Sequence, residues 1–168
     1  MAKIDMDLAL GRFDDAVACG ALAGLLIVVW RGGPTAERLA RVVAECDTLT
    51  ATYAGDLALV AVIEDGSPTP SLQEAAAVAR AFDAHPRITS TVAVLEGRDP
   101  WLATTLDLAA RMAAMRKRAT QTKLCTDARE AATWLERRHT HGRTSAEFRD
   151  RLLASIELVR ARVDAHAR

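Results

Sequence analysis

Two stretches of the chain are continuously apolar, and a third is rich in β-branched residues. They are Leu25–Trp30, Leu57–Ile63 and Ile88–Leu95. Short apolar runs without polar alternation are typical of strands that are covered on both faces of a sheet. A fourth and more polar segment, residues 120–125, predicts a strand at the edge of the same sheet.

Each predicted strand is followed by apolar residues at helical spacing, which indicates one buried stripe per helix. Ser71 with Glu74 forms the capping-box pattern, in which each side chain accepts a backbone N–H at the start of a helix. A further apolar stripe consists of Leu39, Val42, Cys46 and Leu49. Further helix starts are predicted at Asp99, which precedes Pro100, and at Asp127 with Glu130. Alternation of strand and helix from Leu25 to about Arg138 predicts right-handed crossovers and a mainly parallel sheet.

The segment before Leu25 is compatible with an antiparallel strand, Phe13 to Cys19, joined to Leu25–Trp30 by a turn over Gly20–Gly24, and the pattern leaves the start of this strand open. With this strand, we expect an α/β fold with a mixed, mainly parallel sheet of about five strands and about four core helices. The pattern divides the chain into an α/β domain over residues 1–138, a linker over 139–143 and a C-terminal helix over 144–168.

The terminal helix carries a narrow apolar seam with the spacing of a coiled coil. A lone helix of this length is marginal in water, so the seam must lie against something. Two arrangements fit, a homodimer through the helix or docking onto its own domain. The interaction candidates on this seam are Phe148, Leu152, Ile156, Val159 and Val163.

Composition restricts the classes of function. The chain has 22 basic and 22 acidic residues, which argues against a general nucleic-acid or anionic-membrane binder. Apolar runs stop well short of the roughly 20 residues that span a bilayer, and the N-terminus lacks the basic and apolar segments of a signal peptide. Cys19, Cys46 and Cys125 lie far apart and outside metal-ligand spacing, which predicts reduced core thiols and a cytoplasmic location.

Motifs that carry chemistry are missing from the sequence. It has no Gly-x-Ser-x-Gly elbow and no His-Glu-x-x-His pair, so we expect neither catalysis nor a bound metal or cofactor. His85 is expected to stabilise the carbonyls at a helix end. A basic cluster fits either an acidic or phosphate-bearing partner or simply a solvated face; it consists of Arg111, Arg116, Lys117, Arg118 and Lys123.

Two local segments resemble a known family. Asp127–Leu135 reads Asp-Ala-Arg-Glu-Ala-Ala-Thr-Trp-Leu, and Trp30 to Thr35 reads as a strand–Gly–Pro–Thr entry to a helix. Together with the order of elements over about residues 7–138, they resemble the STAS-like domains of anti-sigma-factor antagonists, in particular divergent bacterial members. The resemblance implies a serine after a central strand whose phosphorylation controls partner binding.

The family's Asp-Ser-Ser-Gly motif is replaced here by Glu64–Ser71, which contains two prolines. The phosphorylation candidates in this segment are Ser67, Thr69 and Ser71. Ser71 stands at a helix start, where a phosphate would meet free N–H groups but where a cap alone also explains it. Ser67 is expected to be the more exposed of the two serines.

Three functions remain open from the sequence. The first is a non-catalytic regulatory domain that binds a partner protein in a bacterial cytosolic signalling or assembly system. The second is a self-assembling subunit that associates through the terminal helix. The third is a small-ligand-binding protein, or an enzyme without a recognised motif, that uses the loops at the carboxyl ends of its strands, where open α/β sheets place ligands. A polar cluster there would favour it.

Overall fold

Six strands of the described residues form one sheet, in chain order from edge to edge, at the centre of the structure. The computed structural model describes residues 8–68, 70–97, 121–139 and 146–166. The first three strands pair antiparallel and the rest parallel. The predicted α/β class and mainly parallel sheet are confirmed. The strands are β1 (Ala9–Phe13), β2 (Val17–Leu22), β3 (Leu25–Trp30), β4 (Leu57–Ile63), β5 (Ile88–Leu95) and β6 (Gln121–Cys125).

The N-terminal hairpin differs from the prediction in register and in strand number. β2 covers residues 17–22 and pairs with β3 through a tight turn at Ala23 and Gly24, which have φ angles of 45° and 81°. Gly20 therefore lies inside the strand and not in the turn. A Cβ at Gly20 would lie 2.7 Å from Val159 Cγ2, so this glycine permits close approach of the terminal helix.

The two continuously apolar strands are the centre of the sheet. β3 and β4 are parallel neighbours, with Ile27 opposite Val60. Both of these side chains are fully buried. Successive side chains of a strand point to opposite faces, so a run with no polar position requires cover on both faces.

Helices supply that cover. They are α1 (Ala36–Thr52), α2 (Leu72–Asp83), α3 (Ala128–His139) and α4 (Ala146–His166). Val28 of β3 packs in one apolar cluster with α1 and α2, whereas Ile27 packs in a second cluster with α3 and α4. The helix predicted to begin at Asp99 falls outside the described residues.

Polar groups close the ends of the first two helices. Ser71 and Glu74 form the predicted capping box at the start of α2, with hydrogen bonds of 3.2 and 2.7 Å. At the end of α1, the Arg87 guanidinium donates to the carbonyls of Thr50, Tyr53 and Gly55. Terminal carbonyls have no partner within a helix, so Arg87 fastens α1 to the loop before β5.

The terminal helix α4 docks on its own domain, the second of the two arrangements the sequence left open. Its seam packs against β2 and β3, beside Ala18 and Ile27. Self-association therefore remains a prediction for which another surface would be needed. The seam residues Phe148, Leu152, Ile156, Val159 and Val163 are only 0–6% exposed.

Shortening a seam side chain should destabilise the whole domain. We expect Ile156→Ala to lower the free energy of unfolding by about 3 kcal/mol, because a cavity opens beneath α4. Leu158→Ala, on the same helix but at a side chain 54% exposed, should change it by no more than about 0.5 kcal/mol. Urea unfolding followed by circular dichroism measures both. Equal small losses would show that α4 does not hold the fold in solution.

Candidate functional site

The phosphorylation candidates occupy different environments. Ser67 is 3% exposed, and its hydroxyl donates to the Trp30 carbonyl at 2.9 Å. The expectation that Ser67 is exposed is therefore wrong: its N–H also donates to the Glu64 carbonyl, which turns the loop back over the end of β3. Ser71 is exposed and serves as the cap of α2. Thr69 lies outside the described residues, and phosphorylation of the segment stays a prediction.

The capping pair at Ser71 also affects the protonation of its partner. The hydrogen bond from the Ser71 backbone N–H lowers the pKa of the Glu74 carboxyl, and the Ser71 hydroxyl lowers it further. The carboxylate is therefore held in its charged form at the positive end of the helix dipole. This arrangement accounts for Ser71 and Glu74 as structural residues.

All three thiols are buried and free. Burial is the main cause that raises the pKa of Cys19 and Cys46 to about 12 and that of Cys125 to about 11. Nucleophilic attack and metal binding require the thiolate, which is scarce at neutral pH for such groups. The prediction that these cysteines are core thiols agrees with their burial.

Thiol labelling checks this assignment. In the native protein at pH 8, we expect Ellman's reagent to react with Cys19, Cys46 and Cys125 only at the rate of opening of the fold, because the groups are buried and protonated. Addition of urea above the unfolding transition should release all three at once. Rapid labelling of any one of them in native buffer would show a reactive thiol and contradict the structural reading.

His85 connects the two helices on one face of the sheet. Its Nδ1 lies 3.0 Å from the Ala81 carbonyl oxygen and its Nε2 lies 2.9 Å from Asp47 Oδ1. The predicted contact with carbonyls at the end of α2 is present. The additional contact with Asp47 of α1 could not be read from the sequence, since the two residues are distant along the chain. Both ring nitrogens thus serve helix packing.

A cluster of charged side chains lies at the carboxyl ends of the parallel strands. Arg31, Glu64 and Glu96 directly follow β3, β4 and β5. Arg160 of α4 reaches the same edge: its Nη2 lies 2.6 Å from Glu96 and its Nε 2.9 Å from Glu64. The Nε–H of Arg160 is buried and is not aligned for a hydrogen bond, so its contact with Glu64 is an ion pair only.

Glu64 is the centre of this carboxyl-end cluster. Its side chain is 11% exposed and lies between two guanidinium groups, with Arg31 Nε at 2.6 Å on the other side. The hydrogen bond to Glu64 raises the pKa of Arg31. Burial lowers the pKa of Arg160, but the facing carboxylates, Glu96 first, outweigh it and raise the pKa overall. Both groups are therefore held charged.

Two exposed carboxylates complete the carboxyl-end cluster from α4. Asp164 lies 2.8 Å from Arg31 and Glu157 lies 2.8 Å from Arg160. Four carboxylates thus share two guanidinium groups, and each arginine is engaged within the protein. Within the described residues, no group of three His, Cys, Asp or Glu side chains is arranged to hold a metal ion. The cluster accordingly ties the last turns of α4 to the sheet.

Removal of the Arg160 guanidinium should weaken the attachment of α4 to the sheet. We expect Arg160→Met to lower the free energy of unfolding by about 2 kcal/mol, because the poorly solvated Glu64 and Glu96 lose a counter-charge. Arg162→Met on an exposed position of the same helix is the matched control and should change it by no more than about 0.5 kcal/mol. Equal losses in urea unfolding would mean that the cluster contributes nothing specific.

A second polar site lies at the β6 end of the sheet, where α3, on the same face as α4, runs beside this strand. The Arg138 guanidinium stacks on the Trp134 ring, 3.8 Å from the ring centroid. Its Nε donates to Gln121 Oε1 of β6 at 2.5 Å. Trp134 is half-buried and packs against the core cluster of α3 and α4. The tryptophan is thus fixed by the core, and the arginine is fixed by the tryptophan.

One turn earlier, α3 contacts β6 through an ion pair. Lys123 Nζ lies 2.8 Å from Glu130. The hydrogen bond with this partner raises the pKa of Lys123 and lowers that of Glu130, so both are charged at neutral pH. The predicted edge strand and the cap of Glu130 N–H by Asp127, at 2.8 Å, are both present.

The surface formed by Gln121, Lys123, Trp134, Arg137 and Arg138, here called the α3–β6 strip, carries excess positive charge. Arg137 and Arg138 are exposed, and neither has a carboxylate within 4.0 Å among the described residues. Of the basic cluster predicted from the sequence, Lys123 belongs to this strip. The other four, Arg111, Arg116, Lys117 and Arg118, fall outside the described residues.

The sequence points to two residues of this strip, each for another reason: Trp134 belongs to the family-like segment and Lys123 to the basic cluster. It does not point to Gln121, Arg137 or Arg138. The four-residue spacing of Trp134 and Arg138 places them on one side of a helix, which was the available signal. That this side faces β6 follows only from the packing of α3.

Comparison of the chain with protein-family models, with curated proteins and with solved structures found no match in any of the three. No helix in the described part of the chain is both long and apolar enough to cross a membrane.

Proposed function

We propose that this chain is a non-catalytic regulatory domain that binds a partner protein through the α3–β6 strip. In keeping with the resemblance of its sequence, we place it among STAS-like domains of a bacterial cytosolic signalling or assembly system. The observation that carries the proposal is the stacked Trp134–Arg138 pair, fixed beside an edge strand.

Tryptophan and arginine are the side chains most often found at the energetic centre of protein interfaces. A stacked pair that is already ordered loses little conformational entropy when a partner arrives, which favours affinity. Trp134 is packed against the core and Arg138 is held by both Trp134 and Gln121. The pair is therefore a preorganised anchor and not a pair of mobile surface side chains.

The non-catalytic part of the proposal rests on what the reactive groups do. The thiols are buried with raised pKa values, Ser67 donates to a backbone carbonyl, and His85 joins two helices. Each of these side chains has a structural role that accounts for its position.

The small-ligand alternative is favoured by one observation. Charged side chains do gather at the carboxyl ends of β3, β4 and β5, where open α/β sheets bind ligands. They pair with one another, however, so a ligand would have to displace Glu64 or Glu96 from an arginine. We therefore rank ligand binding at the carboxyl-end cluster second.

Capture of the partner from lysate of the native host tests the proposal. We expect tagged wild-type protein to retain a specific partner, and Arg138→Glu to reduce its recovery about tenfold or more, as for a central interface residue. Arg162→Glu makes the same charge change on an exposed position of α4 and should retain the partner. Quantitative mass spectrometry compares the three samples, after circular dichroism shows that the variants are folded.

Two results would contradict this function. One is a partner whose recovery falls with Arg162→Glu and not with Arg138→Glu, which would move the interface to α4. The other is the same set of captured proteins in all three samples, which would remove the α3–β6 strip from partner binding.

A further inference from the structure

We infer that the partner adds an extended, acidic segment as a new strand along the free edge of β6. This inference rests on the proposed function, since it specifies what binds at the same α3–β6 strip. The juxtaposition that carries it is a strand that pairs on one side only, as far as the described residues go, next to the positive side chains of Lys123 and Arg138.

The strand itself provides the first half of the argument. Among the described residues β6 pairs with β5 alone, and Gln121 and Thr122 at its start are exposed. Backbone N–H and C=O groups alternate in direction along a strand, so those directed away from β5, which have no strand partner in the described ranges, can pair with a further strand. Addition of an extended segment to such an edge is a common mode of peptide recognition.

The positive charge of the α3–β6 strip is the second observation that supports strand addition. Lys123 lies on the strand, Arg138 of α3 contacts Gln121 at its start, and Arg137 is the exposed neighbour of Arg138 along the helix; Glu130 is the acidic partner of Lys123. Arg138 uses its Nε for Gln121, whereas its two terminal nitrogens have no hydrogen bond to the described residues. Those nitrogens can hold a carboxylate in the paired geometry that arginine favours. Side chains at alternate positions of an added strand would reach them.

Charge also argues against the other occupants. The opposite edge of the sheet, β1, has the sequence Ala-Leu-Gly-Arg-Phe and carries no acid, so a second copy would not match the strip through this strand. The carboxyl-end cluster is rich in carboxylates, but they are engaged with Arg31 and Arg160. An extended acidic segment of another protein satisfies both the open backbone and the charge.

Synthetic peptides test strand addition directly. The probe is a fluorescein-labelled decapeptide of alternating glutamate and valine, and the matched control alternates lysine and valine. We expect the glutamate peptide to bind in fluorescence anisotropy at low salt, with affinity about tenfold or more above that of the lysine peptide. Arg138→Glu should weaken it by about tenfold, and Arg162→Glu should leave it unchanged.

A third peptide separates strand addition from simple charge attraction. Methylation of alternate backbone nitrogens in the glutamate peptide removes the donors of one edge and keeps every charge. Methylation on the pairing edge should abolish binding, whereas methylation on the other edge should not. Amide shifts in nuclear magnetic resonance spectra should concentrate in residues 121–125 and at the Trp134 indole.

The outcomes distinguish this inference from the function on which it rests. Equal binding of glutamate and lysine peptides, or of both methylated forms, overturns strand addition. If the captured partner still depends on Arg138, the proposed function stands and the partner binds as a folded surface. Strand addition is supported when the glutamate peptide binds through the pairing edge and displaces the captured partner. An increase in mass with concentration, lost with Arg138→Glu, would instead assign the edge to a second copy.

Discussion

Close packing of the terminal helix α4 against β2 and β3 is the contact on which the rest of the structure depends. β2 offers Ala18 and Gly20 to the helix, and Val159 fills the space that a side chain at Gly20 would need. The same helix then covers Ile27 and Val29 of the central strand. Without it, one face of the antiparallel half of the sheet would be open to water, at a cost in free energy that scales with apolar area.

That contact also decides what the carboxyl ends of the strands can do. Once α4 lies over the sheet, Arg160 meets Glu64 and Glu96, and Arg31 meets Asp164. Polar residues at this edge are a common sign of a ligand site in α/β proteins. Here α4 occupies this position, and its side chains pair with the charged groups there. Arg137 and Arg138, which have no carboxylate partner in the described part of the chain, belong to α3, the helix beside β6.

The sequence predicted the elements that depend on local pattern and missed those that depend on what packs on them. Bounds of β3, β4 and β5 follow from apolar runs, and the Ser71 capping box follows from its own four residues. The sequence predicts a turn at Gly20, because a glycine that lets a distant helix approach cannot be distinguished in sequence from a glycine in a turn. The seam through Leu152 has spacing that suits either a partner or the parent domain, and only tertiary structure separates the two.

The candidate sites likewise depend on contacts between residues distant in sequence, which a local pattern does not reveal. Burial of Ser67 depends on a loop that folds back to Trp30, and the Asp47–His85 contact joins residues that are far apart in sequence. The α3–β6 strip likewise exists because α3 turns Trp134 and Arg138 toward Gln121. The buried side of α3 fixes the angle at which its other side meets the edge strand. The geometry of the Trp134–Arg138 pair is therefore set by the packing of the core, so the partner binding that we propose at this edge requires the folded domain as a whole.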